Sequence, residues 1–304
     1  MNDSDFEVLD ARAGDCFLSN VYRLERIATG MRWAEGPVWF ADRRCLMWSD
    51  VPSDRMHYWT EDGNIGIFRE PSNHSNGNTR DVQGRLVTCE HATRRVTRTE
   101  HSGSVTVLAD RFEGKRLNSP NDVVVKSDGS IWFTDPDYGI MTDYEGGRAE
   151  SEIGACNIYR VDDDSGKISC VASCHMRPNG LAFSADESRL FVADSGGSHN
   201  PEGPRKILVH TVENGKTLGQ PRLFADLGSN VPDGFRLDDH GNLWTSAGKA
   251  VEVYAPDGTL IGRIRTAENV SNLTFGGRQR NRLFITATTS IYAVYTAARG
   301  IQIP

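Results

Sequence analysis

The sequence predicts an all-β chain folded as a six-bladed β-propeller. Three observations predict it. No window of about 11 residues carries a sustained 3.6-residue apolar period, so long amphipathic helices are not expected. Glycine occurs 30 times in 304 residues, with Asn, Asp and Ser in short clusters throughout, as suits many short strands joined by turns. One strand–turn–strand pattern also recurs six times, which is the sequence mark of a repeat architecture.

The six copies, in chain order, are EGPVWFADRRCLMWSDV from Glu35, SNGNTRDVQGRLVTCEH from Ser75 and PNDVVVKSDGSIWFTDP from Pro120. They continue as PNGLAFSADESRLFVADS from Pro178, VPDGFRLDDHGNLWTS from Val231 and SNLTFGGRQRNRLFITAT from Ser271. Each has a polar residue, a short apolar strand, an Asp- and Gly-rich turn, and an apolar-aromatic strand. Aligning them places Glu35, Asn76, Asn121, Asn179, Asp233 and Asn272 at one shared position, with separations of 41, 45, 58, 54 and 39 residues. Such spacing leaves room for two further strands per unit. NIYRVDDDSGKISCVA (157–172) and VEVYAPDGTLIGRI (251–264) read as those extra hairpins. One blade alone leaves its faces uncovered, whereas six around an axis cover one another. The expectation is one domain over 1–304, with the N-terminal residues completing the last blade.

A net charge of −7 argues against a nucleic-acid binder, which needs a basic face. No apolar run approaches the ~20 residues of a membrane span. The start, MNDSDFEVLDARAGD, has neither the basic nor the apolar region of a signal peptide, so a cytoplasmic location is expected. Cys16, Cys45, Cys89, Cys156, Cys170 and Cys174 are widely spaced and read as free thiols rather than a disulfide framework.

In a propeller, equivalent positions surround one channel, so the shared position should form a ring of side-chain oxygens. Asp-Gly and Asn-Gly are turn chemistry anywhere, and Asp233, Asn76 and Asn272 have that simpler reading too. Glu35 has no special virtue in a turn. Two carboxylates and four amides around an axis make a hard-cation site, for which Ca²⁺ is the first choice and Mg²⁺ or Mn²⁺ follow. No Cys or His falls at the shared position, which disfavours zinc there.

Five segments, GMRWAEGPVW, RLNSPNDVVV, FTDPDYG, RPNGLAFSADESRLFVADS and VPDGFRLDDHGNLWTS, together resemble the gluconolactonase family related to senescence marker protein, also called regucalcin. The resemblance runs from about Tyr22 to the last strand. It implies a six-bladed propeller that binds one divalent cation and hydrolyses sugar lactones. It implies Glu35, Asn179 and Asp233 as metal ligands, Asn121 at the cation or the substrate, and Asp233 as the group that moves the proton. The mammalian members carry arginine where Ser119 stands here, as in the microbial branch, so their substrate preference does not transfer. Asn76, Asn118, Ser119, Asn121, Asp135 and Tyr138 are the candidate substrate-pocket residues, with His74 and His91 flanking the second copy.

Two other functions compete. The same cation would polarise an aryl ester or a phosphotriester, and a propeller can be a binding platform without chemistry. A nucleophilic route has less support. No Gly-x-Ser-x-Gly elbow exists, though Ser195 follows a strand with His175 and His199 in the same region. Cys170 and Cys174 read as ordinary thiols. Whether the chain works as a monomer or a homodimer is open at this level.

Overall fold

The structure, a computed structural model, describes residues 5–18 and 23–301. The parts of the expected 1–304 domain at 1–4, 19–22 and 302–304 lie outside the described residues. Six antiparallel sheets surround one axis. From the axis outward, blade I is Ala34–Phe40, Cys45–Asp50, Arg55–Thr60 and Ile65–Arg69, and blade II is Ser75–Arg80, Leu86–Glu90, Arg95–Thr99 and Val105–Ala109. Blade III is Val123–Val125, Ile131–Asp135, Asn157–Val161 and Ile168–Ala172. Blade IV is Pro178–Phe183, Arg189–Asp194 and Lys206–Glu213, the last paired along its outer edge with both Thr217–Leu218 and Arg222–Asp226. Blade V is Phe235–Leu237, Leu243–Ser246, Ala250–Tyr254 and Leu260–Arg265, and blade VI begins with Val270–Gly276, Arg282–Ala287 and Ser290–Tyr295. The one α-helix among the described residues is the single turn Tyr138–Met141.

The N-terminal segment serves two blades. Glu25–Thr29 pairs with Ser290–Tyr295 as the outer strand of blade VI, joining the start of the chain to its end. Phe6–Val8 adds a fifth strand to blade V, which the repeat pattern did not foreshadow.

Burial follows the strand order. All seven residues of Ala34–Phe40 are buried, whereas Ile65–Arg69 at the edge of the same blade has none buried. The apolar faces meet in six clusters, one between each pair of neighbouring blades. Blades I and II share Val38, Met47, Met56 and Leu86, and blades VI and I share Ala34, Trp48, Phe284 and Ile291. Trp48, Trp132 and Trp244, each on the second strand of its blade, are fully buried in these seams. A buried aromatic on a fixed strand covers much apolar area while losing little rotamer freedom.

The axial glycines are not turn residues, and this corrects the simple reading of Pro-Asp-Gly. In blades I, II and IV the innermost strand bulges at the shared position, with register shifts between Glu35 and Val38, Ser75 and Asn78, and Pro178 and Leu181. A bulge re-aims one side chain, here toward the axis. The following glycine then lies against the next blade. A Cβ on Gly180 would stand 2.2 Å from the Asp233 carbonyl oxygen, and one on Gly77 would stand 2.4 Å from that of Asn121. The amides of Gly77, Gly180 and Gly234 donate to carbonyls of the next blade at 2.7, 3.1 and 2.8 Å. Glycine is required by this close backbone approach.

Gly180→Ala should therefore destabilise the protein by about 1–3 kcal/mol, the usual range for overpacking, measured by urea unfolding. Gly147→Ala, at a site with nothing within 4 Å of the added carbon, should shift stability by no more than about 0.5 kcal/mol. Equal effects at the two positions would contradict the packing argument.

Candidate functional site

At the mouth where the innermost strands begin lies a cavity of about 630 Å³. Glu35, Asn76, Asn121, Asn179 and Asp233 line it, contributed by five successive blades. The sixth ring residue, Asn272, is buried beneath it: its Nδ2 lies 3.4 Å from Glu35 Oε2, while its Oδ1 accepts the Leu273 amide at 2.8 Å. All six aligned residues thus sit at one end of the axis, but Asn272 supports Glu35 instead of facing the cavity.

The electrostatics distinguish these carboxylates from others near them. Asp122, one residue deeper than Asn121, is fully buried, and Arg236 approaches it at 3.9 Å. Glu35 and Asp233 have no arginine or lysine ion pair among the described residues. Glu35 Oε2 accepts the Gly36 amide at 2.8 Å, and Asp233 receives a hydrogen bond from the Asn179 side chain. Burial pushes the Glu35 carboxyl up to about 8. Burial also raises Asp233 well above the ordinary carboxylate range, with the charges of Glu35, Asp122 and Glu145 adding to it. Two such groups repel unless a proton or a cation intervenes. Their oxygens, with the amide oxygens of Asn121 and Asn179, form a set without sulfur or imidazole and fit a hard divalent cation.

Neighbouring residues hold the ring in place. The Asn121 amide donates to the Thr134 carbonyl at 2.8 Å, and Thr134 Oγ1 donates to the Asn179 carbonyl at 2.8 Å. Ser246 Oγ accepts the Asp233 amide at 2.8 Å. Asn76 Nδ2 lies 3.2 Å from His91 Nε2, and His91 Nδ1 lies 3.1 Å from the Glu145 carbonyl. Burial pushes His91 down to about 4, so the imidazole is neutral at ordinary pH. An amide donor on Nε2 and a carbonyl acceptor at Nδ1 select the Nδ1–H tautomer.

Of the other sequence candidates, Tyr138 lines the cavity; its hydroxyl lies 3.0 Å from Ser198 Oγ. Asn118, Ser119 and Asp135 stand behind the wall. The Asn118 amide donates to Asp135 Oδ2 at 2.8 Å, and Ser119 Oγ donates to the Pro136 carbonyl at 2.7 Å while accepting the Gly139 amide at 2.9 Å. These bonds fix the segment that carries Tyr138, while Asp135 Oδ1 is buried without a partner among the described residues and burial pushes that carboxyl up to about 7. His74 contacts the Val51 carbonyl at 2.8 Å through Nδ1, away from the cavity. Ser195 Oγ donates to the Pro232 carbonyl, so Ser195 is not paired with His175 or His199; His199 Nδ1 lies instead 3.0 Å from Ser198 Oγ.

One cavity carboxylate had no sequence signal. Glu145 lies in an irregular loop outside every repeat and adds a third carboxylate to the cavity, raised above its ordinary range by burial. Trp33, Met141 and Tyr144 complete the apolar part of the wall.

The fold is a six-bladed propeller with a polar cavity on its axis, and its relatives make it a lactonase. A gluconolactonase of Zymomonas mobilis is 32% identical over 94% of this chain and 85% of its own. The pentonolactonase XacC of Haloferax volcanii is 29% identical over 86% and 83% respectively. A solved gluconolactonase from Xanthomonas campestris superposes with a TM-score of 0.89 at 37% identity, covering 96% of each chain. The family described as the SMP-30/gluconolactonase/LRE-like region matches residues 33–289, and the chain belongs to it.

The raised carboxyls have a consequence for stability. Glu35 keeps its proton in the native state up to about 8, against an ordinary value of 4.5, so between those values the native state binds more protons than the unfolded chain. Its contribution is full below that window and is lost as pH rises through it. Chelator-treated protein should melt at progressively lower temperature from pH 5 to pH 8, and Glu35→Gln should flatten that decline. A chelated wild type that is as stable at pH 8 as at pH 5 would contradict the placement.

Proposed function

We propose that the protein hydrolyses sugar lactones with a divalent cation, calcium, held by Glu35, Asn179 and Asp233 with Asn121 beside it. One observation carries the reading: Glu35 and Asp233 face one cavity without a cationic side chain, whereas the nearby Asp122 has Arg236. A bound divalent ion supplies the missing charge, polarises the lactone carbonyl and stabilises negative charge on its oxygen.

The chain's own groups do the rest. Asp233 accepts the proton of the attacking water, and the Asn179 hydrogen bond sets its orientation. Asn76, held by His91, and Asn121 present amides to the hydroxyls of a sugar ring, and Tyr138 closes the side of the cavity. The lactonase names of the relatives support a lactone over the competing esters, as does a pocket wall of amides and carboxylates suited to a polyol. A panel of sugar lactones, aryl esters and phosphotriesters assayed with Ca²⁺ tests that choice.

Asp233→Asn separates the duties of this residue. It keeps an oxygen for the ion but removes the charge and the ability to take a proton. Lactonase turnover should fall by at least the roughly 10²–10⁴-fold typical of lost acid–base catalysis, even at saturating Ca²⁺. Recovery of the rate with excess metal would reduce Asp233 to a ligand, and near-normal turnover would remove it from the mechanism. Chelation of the wild type should abolish activity, and re-added Ca²⁺ should restore it; full activity in metal-free protein would end the reading.

A further inference from the structure

Three groups of a different chemistry converge at a link just before the ring residue Asn179 in the chain. Cys174 and His175 lie in the link between the outer strand of blade III and the innermost strand of blade IV. His210 lies on the third strand of blade IV. The Nε2 atoms of His175 and His210 are 3.4 Å apart, and Cys174 Sγ is 3.6 Å from His175 Nδ1. One ligand atom from each residue falls within 4.8 Å of those from the other two. Both imidazoles are buried and the thiol is exposed.

We propose that Cys174, His175 and His210 form a second cation site, selective for a thiolate- and imidazole-preferring ion such as Zn²⁺ and distinct from the oxygen-lined axial cavity. The spacing fits: two nitrogens each about 2.0–2.1 Å from a tetrahedral zinc lie roughly 3.3–3.4 Å apart. The support around it fits too. His210 Nδ1 lies 2.7 Å from the Gly219 carbonyl, which fixes the Nδ1–H tautomer and turns the Nε2 lone pair inward, as is usual for imidazoles that bind metal. Burial holds both rings neutral, with His175 pushed down to about 4 and His210 below its ordinary value. The Asp194 carboxylate accepts the amides of Met176 and Arg177, both at 3.0 Å, anchoring the link and adding negative charge beside it.

Without an ion, protons join the three groups. The Cys174 thiol donates to His175 Nδ1, and His175 Nε2–H donates to His210 Nε2. Binding requires the thiol to lose one proton to solvent and His175 to move its proton from Nε2 to Nδ1. Cys174, at the surface, turns toward the nitrogens, and a water fills the fourth position. The site also clamps a segment that matters elsewhere. Arg177, two residues on, pairs with Asp137 through two hydrogen bonds of 2.7 and 3.1 Å and lies over the Tyr138 ring.

Cobalt reads the site directly, because a thiolate ligand gives Co²⁺ a charge-transfer absorption that an all-oxygen site cannot. Full-length protein saturated with Ca²⁺ should take up one equivalent of Co²⁺ with that band, and Zn²⁺ should bleach it. Cys174→Ser should abolish the band and weaken Co²⁺ binding at this site at least about 100-fold, since loss of even an outer partner commonly weakens affinity 10–100-fold. Its lactonase activity with Ca²⁺ should be unchanged. Cys170→Ser should keep the band. His210→Gln should weaken it, with folding checked by thermal melting in chelator. No band in the wild type, a band that survives Cys174→Ser, or one indifferent to His210→Gln would overturn the site.

Discussion

Two buried carboxyls with no cationic partner at one end of the axis are the constraint on which the site depends. Glu35 and Asp233 come from blades on different sides of the channel, and no side chain among the described residues neutralises them. Removing such groups from water disfavours their charged forms, which burial and mutual repulsion express as raised carboxyls. Asp122 is raised by the same burial, but Arg236 at 3.9 Å partly offsets it. The contrast between these carboxylates on one axis argues that the upper pair is arranged for a charge that arrives from outside. Everything built around it, from the bulged strands to the Asn272 amide under Glu35, keeps the pair in register.

That register comes from stability placed elsewhere. Six apolar seams, one per pair of blades, hold the ring, and the fully buried tryptophans lie there and not at the axis. At the axis, packing is by backbone: glycine amides of one blade donate to carbonyls of the next. The closure from blade VI to blade I repeats the theme, with Ser271 Oγ donating to the Ala34 carbonyl at 2.6 Å, next to Glu35. Strain at the polar centre is therefore offset by burial distributed around the rim, as expected where a functional site departs from locally optimal choices.

The repeats made the blades and the ring legible because a propeller maps equal sequence positions to equal distances from its axis. Glu35 through Asn272 could be aligned for that reason. What the alignment could not convey was depth. Asn272 has the same residue type as Asn179, yet Leu273 follows it where glycine follows Asn179, and its side chain lies under the cavity. Asn118 and Ser119 sit close to Asn121 in sequence, but the Asn118 amide is spent on Asp135 and the Ser119 hydroxyl on Pro136 and Gly139, behind the wall. Glu145 was invisible for the opposite reason. It belongs to no repeat, and only the folding of 141–148 back against Gly139 brings it to the wall, with the Gly147 amide 3.1 Å from the Gly139 carbonyl. The added strand Phe6–Val8 is likewise a pairing between distant segments with no periodic signal.

The charge balance also bears on how Asp233 can act as a base. A carboxylate beside a divalent cation is a weakened base, because the ion favours its ionised form. In this cavity the opposing influence is large: burial and the charges of Glu35, Asp122 and Glu145 all favour the protonated form of Asp233. A cation bound there would lower the proton affinity of a group that burial raises well above the ordinary range, so the two influences on Asp233 oppose each other. The same ion on an exposed aspartate would leave it too acidic to help. On the proposed mechanism, the burial that makes the metal-free site electrostatically unfavourable is what would allow one residue to be both ligand and proton acceptor.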